Sequence, residues 1–253
     1  MLPNPWDAGS ARMLQHLGFE ALASTSSGYA WSTGRPDYGV TRDGVLSHLS
    51  TLCNAVDLPI NADFESGFAS DPEGVAESVR LVMQTGVAGF SLEDRDVGRG
   101  GRLYDKAAAL ERLRAARQTI ERSGENVLLV ARTEILLDEP DALAEAIDKL
   151  VAFADDGADC LYAPGVRKKE DIQAIVQAVA PKPVNVLVMD PKMTLAEYAE
   201  LGVRRVSVGG SLARVAWAAA FAAANGIKEG SFRAFADGIP SRELNGIFGS
   251  FSG

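Results

Sequence analysis

Thr85-Gly86-Val87-Ala88-Gly89-Phe90-Ser91-Leu92-Glu93-Asp94 is the stretch that decides how the chain is read. It leaves an amphipathic helix, passes through a glycine, runs on as a short apolar strand and stops at two carboxylates. A glycine just past a helix fits the left-handed cap position, which other residues reach only at a steric cost. The same junction recurs at Leu17-Gly18-Phe19, Asp156-Gly157-Ala158 and Leu201-Gly202-Val203. Strands are expected after each glycine, over residues 19–24, 87–92, 158–163 and 203–208. Three more fit at 58–62, 127–131 and 184–188, and one at 2–6, which makes eight. Their nearly continuous apolar character is that of parallel strands covered on both faces.

Helical runs alternate with these strands. Val45, Leu46, Leu49, Leu52 and Val56 form one apolar stripe, and Leu143, Ile147, Leu150, Val151 and Ala154 form another. Asp71-Pro72 places a capping carboxylate before a first-turn proline, and Thr194 with Glu197 spells a capping box. The glycine spacing gives about 35 residues per strand–helix unit. Strict alternation argues for an α/β parallel sheet, and eight strands argue for closure into a (β/α)8 TIM barrel. The rival is an open doubly wound sheet, which the lack of a G-x-G-x-x-G after an early strand disfavours. The whole chain, 1–253, is expected to be one barrel domain. Residues 211–253 form a terminal helical segment, with helices at 212–225, 232–236 and 242–248. Surplus apolar helix at a barrel's end docks either on a partner subunit or as an extra layer on its own chain.

Composition removes other classes. The chain has 253 residues, 47% hydrophobic and 23% charged, so it is neither disordered nor short of a core. Its 25 Lys+Arg stand against 34 Asp+Glu, a net charge of −9 with no basic run, which disfavours a nucleic-acid partner. The longest apolar stretch falls short of a membrane span. Two cysteines, Cys53 and Cys160, exclude a disulfide scaffold and read as packing residues. Met1-Leu2-Pro3-Asn4-Pro5-Trp6 carries no signal-peptide pattern, so a reducing, cytoplasmic setting is expected. A strand begins almost at residue 1, as in a barrel chain without a preceding helix.

In a barrel the chemistry sits at the C-terminal ends of the strands. Here those ends are acidic: Asp7 after the first, Asn61-Ala62-Asp63-Phe64-Glu65 at the third, Glu93-Asp94 at the fourth and Arg132-Thr133-Glu134 at the fifth. The second is followed by Ser24-Thr25-Ser26-Ser27-Gly28 and later by Arg35-Pro36-Asp37. One such carboxylate could merely cap a helix. Several on neighbouring units repel one another unless a cation sits among them. Oxygen-only ligands favour a hard ion, Mg²⁺ or alternatively Mn²⁺. The two histidines, His16 and His48, fall on helical runs and read as surface or packing residues, which argues against Zn²⁺. Arg132 ends the apolar strand Val127-Leu128-Leu129-Val130. It needs an anionic partner, either the acidic cluster or a substrate carboxylate.

These residues, in this order, resemble the phosphoenolpyruvate mutase/isocitrate lyase superfamily. The matching blocks are Pro5-Trp6-Asp7-Ala8 with Ser10-Ala11-Arg12, Gly34-Arg35-Pro36-Asp37, Asn61-Ala62-Asp63-Phe64-Glu65-Ser66-Gly67-Phe68, Ser91-Leu92-Glu93-Asp94 and Ala131-Arg132-Thr133. The resemblance implies a barrel that binds Mg²⁺ and a small 2-oxo or 2-hydroxy acid, in dimers or tetramers that exchange their last helices. It makes Asp63 the direct metal ligand and gives Asp37, Glu65 and Glu93 the metal's waters. Arg132 becomes the substrate-carboxylate clamp, with Arg132, Glu93 and Asp37 as the residues closest to catalysis. Ser24, Thr25 and Ser26 resemble the segment that cradles the other end of the acid, and Trp6 lines the same mouth.

The departures are also informative. The K-K-C-G-H motif of the isocitrate-type lyases is absent, as is the Lys- and Asn-bearing lid of the phosphonate branch. Ala163-Pro164-Gly165 stands where a mutase has His and a lyase Glu. The Gly-rich, basic run from Arg95 to Tyr104 reads either as a mobile lid over an anion or as a solvated loop. The resemblance therefore implies a Mg²⁺-dependent lyase that breaks a C–C bond, or decarboxylates, through a metal-stabilised enolate. Three alternatives stay open: phosphorus–carbon chemistry, as in phosphonomutases or phosphonopyruvate hydrolase; a 2-oxo-acid binding protein with little catalysis; and a phosphate grip at Val208-Gly209-Gly210-Ser211.

Overall fold

The computed structural model describes residues 1–251. Among them, strands β1 (Leu22–Ala23), β2 (Ile60–Asp63), β3 (Gly89–Glu93), β6 (Leu128–Arg132), β7 (Cys160–Tyr162), β8 (Val184–Leu187) and β9 (Arg205–Ser207) pair in that order, all parallel. Between β3 and β6 lies a small antiparallel hairpin, β4 (Arg95–Asp96) and β5 (Arg102–Leu103). Residues 2–4 take the eighth position and bring the two edges together. Leu2 donates its N–H to Val206 O at 2.8 Å, and Pro3 O accepts from Ala23 N at 3.1 Å. The sequence pattern promised a full strand at 2–6, yet only a single bridge, Leu2 to Ser207, forms. The reason is chemical: Pro3 and Pro5 have no N–H to give to a ladder. Asn4 makes up the deficit with its side chain. Its Nδ2 donates to Ser24 O at 2.9 Å, and its Oδ1 accepts from the N–H groups of Val208 and Gly209 at 2.8 and 2.9 Å.

Helices cover the outside. They are α1 (Ala8–His16), α3 (Arg42–Ala55), α4 (Pro72–Met83), α5 (Lys106–Ser123), α7 (Leu143–Asp155), α8 (Lys169–Ala178), α9 (Leu195–Glu200) and α10 (Ser211–Lys228), with short α2 (Ser26–Ser32) and α6 (Ile135–Asp138) in the loops. The four junction glycines, 18, 86, 157 and 202, all hold positive φ, as a left-handed helix terminus requires. Asp71 and Thr194 cap α4 and α9 as expected. The main core lies between sheet and helices, around Phe64, Phe90, Leu113, Leu129, Leu150 and Leu161. Most strands start one to three residues later than their apolar runs; after Gly18, Gly157 and Gly202 the next N–H still bonds back to the preceding helix, Phe19 to Leu14 O, Ala158 to Phe153 O and Val203 to Tyr198 O.

The terminal segment is helical as expected. After α10 come a 3-10 turn (Arg233–Asp237) and α11 (Ser241–Gly249), which packs on α1. On α10 only Ala213 is buried, and Val215 and Phe221 are each 67% exposed. No helix of the described residues is long and apolar enough to cross a membrane.

Candidate active site

The strand ends bring most of the predicted residues together. Asp63, last residue of β2, is held from three sides. Its N–H donates to Ser24 Oγ at 2.8 Å, its Oδ2 accepts from Ser26 N at 2.9 Å, and its Oδ1 faces Arg132 Nη1 at 3.3 Å. Thr25 caps α2, with its hydroxyl accepting from Gly28 N. Arg132, last residue of β6, also faces Glu93 Oε2 at 3.4 Å and donates through Nε to Glu134. Its guanidinium lies 5.2 Å from the Tyr162 ring centroid, a cation–π distance. Burial alone would depress the guanidinium pKa, but Glu134, Glu93 and Asp63 hold it well above its ordinary value.

A cavity of about 140 Å³ opens in this mouth. Ser24, Thr25, Ser26, Asp37, Asp63 and Arg132 line it. Trp6 does not; it packs beside Gly28, and Asn4 two residues earlier is the lining residue. Glu93 lies just behind, buried between Arg132 and the Tyr38 hydroxyl, which donates to its Oε1 at 2.9 Å. Glu65 faces a neighbouring cleft under the hairpin, with Tyr38, Phe68 and Tyr104.

The carboxylates strain against one another. Burial pushes Glu65 up to about 9, and the charges of Asp63, Glu93 and Asp37 push the same way. Glu93 is raised by burial against the pull of Arg132. Asp37, on an exposed loop, is raised by desolvation under the rim and then by Asp63. Glu65 Oε1 is buried without a hydrogen-bond partner. Glu65 also has φ +49°, and Tyr38 φ +60°, backbone that non-glycine residues adopt at a cost and that clusters at functional sites. Among the described residues no three acidic, His or Cys side chains gather closely enough to cage a metal alone. A hard cation such as Mg²⁺ needs only one or two protein oxygens, with waters completing its shell. With an orphaned carboxylate oxygen and mutually raised acids, the donor set fits such an ion.

Tyr38 was not picked out from sequence, and Glu134 and Asp94 were read there only as strand-end acids, without their partners. Tyr38 reaches Glu93 from a loop. Glu134 is buried between Arg132 and Arg95, whose Nε lies 3.6 Å from it. Asp94 is paired with buried Lys149 at 2.7 Å and also accepts from Thr133 Oγ1 and Glu134 N, so it fixes the turn that presents Arg132. The Gly-rich run forms a small hairpin, in which Arg95 Nη1 donates to Gly101 O at 2.6 Å. The N–H groups of Val208 and Gly209, candidates for a phosphate grip, are already bonded to Asn4, and a Cβ at Gly210 would meet Trp31 at 2.9 Å. His16 is exposed, and His48 is buried in a stack on Tyr29 at 3.9 Å. Burial pushes the Cys53 and Cys160 thiols up to about 11.

The profile of the family described as phosphoenolpyruvate phosphomutase matches residues 1–228. The chain belongs to this family, within the phosphoenolpyruvate mutase/isocitrate lyase superfamily. Its relatives place the barrel among metabolic enzymes. A candidate lyase/mutase from Burkholderia cenocepacia J2315 shares 43% identity over 98% of this chain and 90% of its own, with a TM-score of 0.94. A 2-methylisocitrate lyase of Salmonella typhimurium is 33% identical over 62% of this chain and 54% of its own length. The structure of an oxaloacetate acetylhydrolase with 3,3-difluorooxalacetate superposes with a TM-score of 0.89 at 28% identity, over 99% of this chain and 88% of the other.

Proposed function

We propose that this protein is a Mg²⁺-dependent carbon–carbon lyase of a small 2-oxo or 2-hydroxy carboxylic acid, with Mn²⁺ as the alternative ion. One observation carries it: a small barrel-mouth cavity lined by Asp37, Asp63 and Arg132, beside a buried Glu65 oxygen with no protein partner. The similar methylisocitrate lyase and oxaloacetate acetylhydrolase support the same class of reaction. Asp63 would hold the ion directly, and Asp37, Glu65 and Glu93 would hold its waters. The bound ion would supply Lewis-acid stabilisation of the negative charge that develops on the acid.

The chain's own residues do the rest. Arg132 faces three carboxylates, and its Nη2, without a hydrogen-bond partner among the described residues, is the donor left for a substrate carboxylate. Tyr38, whose hydroxyl is pushed far above its ordinary pKa by burial and then by Glu93, stays protonated and orients Glu93. Loss of CO₂ needs an electron sink more than a strong base, which fits a mouth whose described lining holds no histidine or cysteine.

The test is release of pyruvate, aldehyde or CO₂ from a panel of such acids with Mg²⁺. Turnover that falls with EDTA supports the proposal, and no turnover across the panel rejects it. The family description also favours phosphorus–carbon chemistry as second reading, so phosphonopyruvate belongs in the panel, with phosphate as its diagnostic product. The exposed face of α10 forms a groove of about 1150 Å³ with Trp31 and Arg35, lined by Val215, Trp217 and Phe221. It supports a homodimer or tetramer that exchanges terminal helices. Phe221→Asp should then reduce the mass seen by light scattering. Two free thiols suit a cytoplasmic enzyme.

A further inference from the structure

The mouth cavity is lined by two guanidinium groups, and they differ in charge balance. Arg132 faces Asp63, Glu93 and Glu134, so its charge is more than cancelled. Arg205 begins β9 in register with Asn185 and reaches across the barrel interior to Asn61 on β2. Its Nε donates to Asn185 Oδ1 at 3.1 Å and its Nη1 to Asn61 Oδ1 at 3.1 Å. Both acceptors are neutral amides. Among the described residues no carboxylate comes within ion-pair distance of Arg205, and its Nη2 has no protein partner.

The surroundings do not compensate. Burial depresses the Arg205 pKa. The nearby titratable groups are the Cys160 thiol and the Tyr162 phenol, raised to about 11 and about 12, so both are neutral near pH 7. A largely buried cation without an anion is costly, and folds seldom keep one without a use. The amides that hold it are themselves fixed. Asn185 Nδ2 donates to Ser207 Oγ at 3.1 Å and Asn61 Nδ2 to Ala62 O at 2.9 Å. Room for the Asn61 amide depends on Gly89, where a Cβ would lie 3.2 Å from Asn61 Oδ1 and 2.9 Å from Leu128 O. The guanidinium is thus held in place, with a free donor and an unmatched charge, in the cavity that Asp63 and Arg132 share.

We propose that Arg205 is the second anion contact of this site and gives it a preference for acids that carry two anionic groups. The inference rests on reading the mouth as a 2-oxo or 2-hydroxy acid site. The second group is a carboxylate or a phosphonate, since a guanidinium fork binds either.

Calorimetric titration with Mg²⁺ present tests it, using lactate, malate and 3-phosphonolactate, which share a 2-hydroxy acid head and differ in the second anion. The wild-type protein should bind malate or 3-phosphonolactate at least about tenfold tighter than lactate, a difference of about 1.4 kcal/mol. The tighter of the two names the second group. In Arg205→Gln the ratio to lactate should fall to about one, because binding of the dianion weakens. Arg205→Lys, which keeps the charge and guards against a folding defect, should retain part of it. A preference that survives in Arg205→Gln overturns the proposal, as does an equal loss for lactate and malate. If wild type binds neither malate nor 3-phosphonolactate tighter than lactate, Arg205 has no such role while the mouth remains an acid site; if it binds none of the three with Mg²⁺, both readings fail.

Discussion

The rim and the floor of the barrel mouth are opposite in character. At the rim, Asp37, Asp63, Glu65, Glu93 and Glu134 lie around Arg132, and burial together with neighbouring charge raises Asp37, Glu65 and Glu93. At the floor, Arg205 is held by Asn61 and Asn185 with no carboxylate near. Excess negative charge above and a bare cation below are both costly alone. Together they suit the ligand pair proposed above, a cation and a small dianion. The comparison also separates the two arginines. Arg132 is built into the acidic cluster, whereas Arg205 has charge to spare.

The largest effect expected from breaking this arrangement is at Arg132. Arg132→Ala leaves Asp63, Glu93 and Glu134 without their shared partner. Turnover of the accepted acid should drop by at least about a thousandfold, and urea unfolding should show a loss of about 3 kcal/mol. Near-wild-type kinetics would mean that the rim is merely structural. Glu65→Gln probes the rim from the other side. Mg²⁺ affinity, read by calorimetry, should weaken by about 10–100-fold, while the metal-free protein melts no lower near pH 7, because Glu65, raised to about 9, is already neutral there. Unchanged Mg²⁺ binding would remove Glu65 from the ion's surroundings.

At the floor, Asn185→Leu deletes the acceptor of Arg205 Nε. The preference for malate over lactate should shrink several-fold while Mg²⁺ affinity holds. A matched loss of both would blur the distinction between rim and floor. Tyr38→Phe removes a single hydrogen bond to Glu93, worth about 1 kcal/mol, so turnover should change only a few-fold. His48 belongs to neither region, and its replacement should leave ligand binding unaltered. Burial lowers its pKa to about 4 from an ordinary 6.5. The unfolded chain therefore binds the extra proton first, and stability should fall as pH drops from about 6.5 to about 4, by about 3 kcal/mol. His48→Phe should flatten that arm of a pH–stability curve; an unchanged arm would assign the acid loss elsewhere.

Much of the barrel could be read from local signals. Glycines 18, 86, 157 and 202 marked helix ends, and the apolar runs behind them became strands, because both signals are local. Asp63, Glu65, Glu93 and Arg132 were legible at strand ends, and Asp37 in the loop after the second strand, in the order of a known family. What lay hidden depends on contacts distant in sequence. Asn4 replaces backbone pairing that two prolines forbid, and nothing in its neighbours says so. Arg205, beside Arg204 in an otherwise ordinary strand, becomes an interior cation only once alternation turns it inward to meet Asn61, far away in the chain. Tyr38 was silent, since a loop tyrosine usually faces water, and Glu134 was visible only as one more strand-end acid, with nothing to show that it pairs with Arg132. The terminal helices were visible as surplus apolar sequence, and α10 exposes that apolar face.

A crystal structure grown with Mg²⁺ and oxalate tests the central claim most directly. Oxalate carries two carboxylates and survives without turnover. The account predicts an ion beside Asp63, with oxalate in the cavity between that ion and an arginine of its lining. An ion bound elsewhere, or a mouth that stays empty at saturating Mg²⁺ and oxalate, would contradict it.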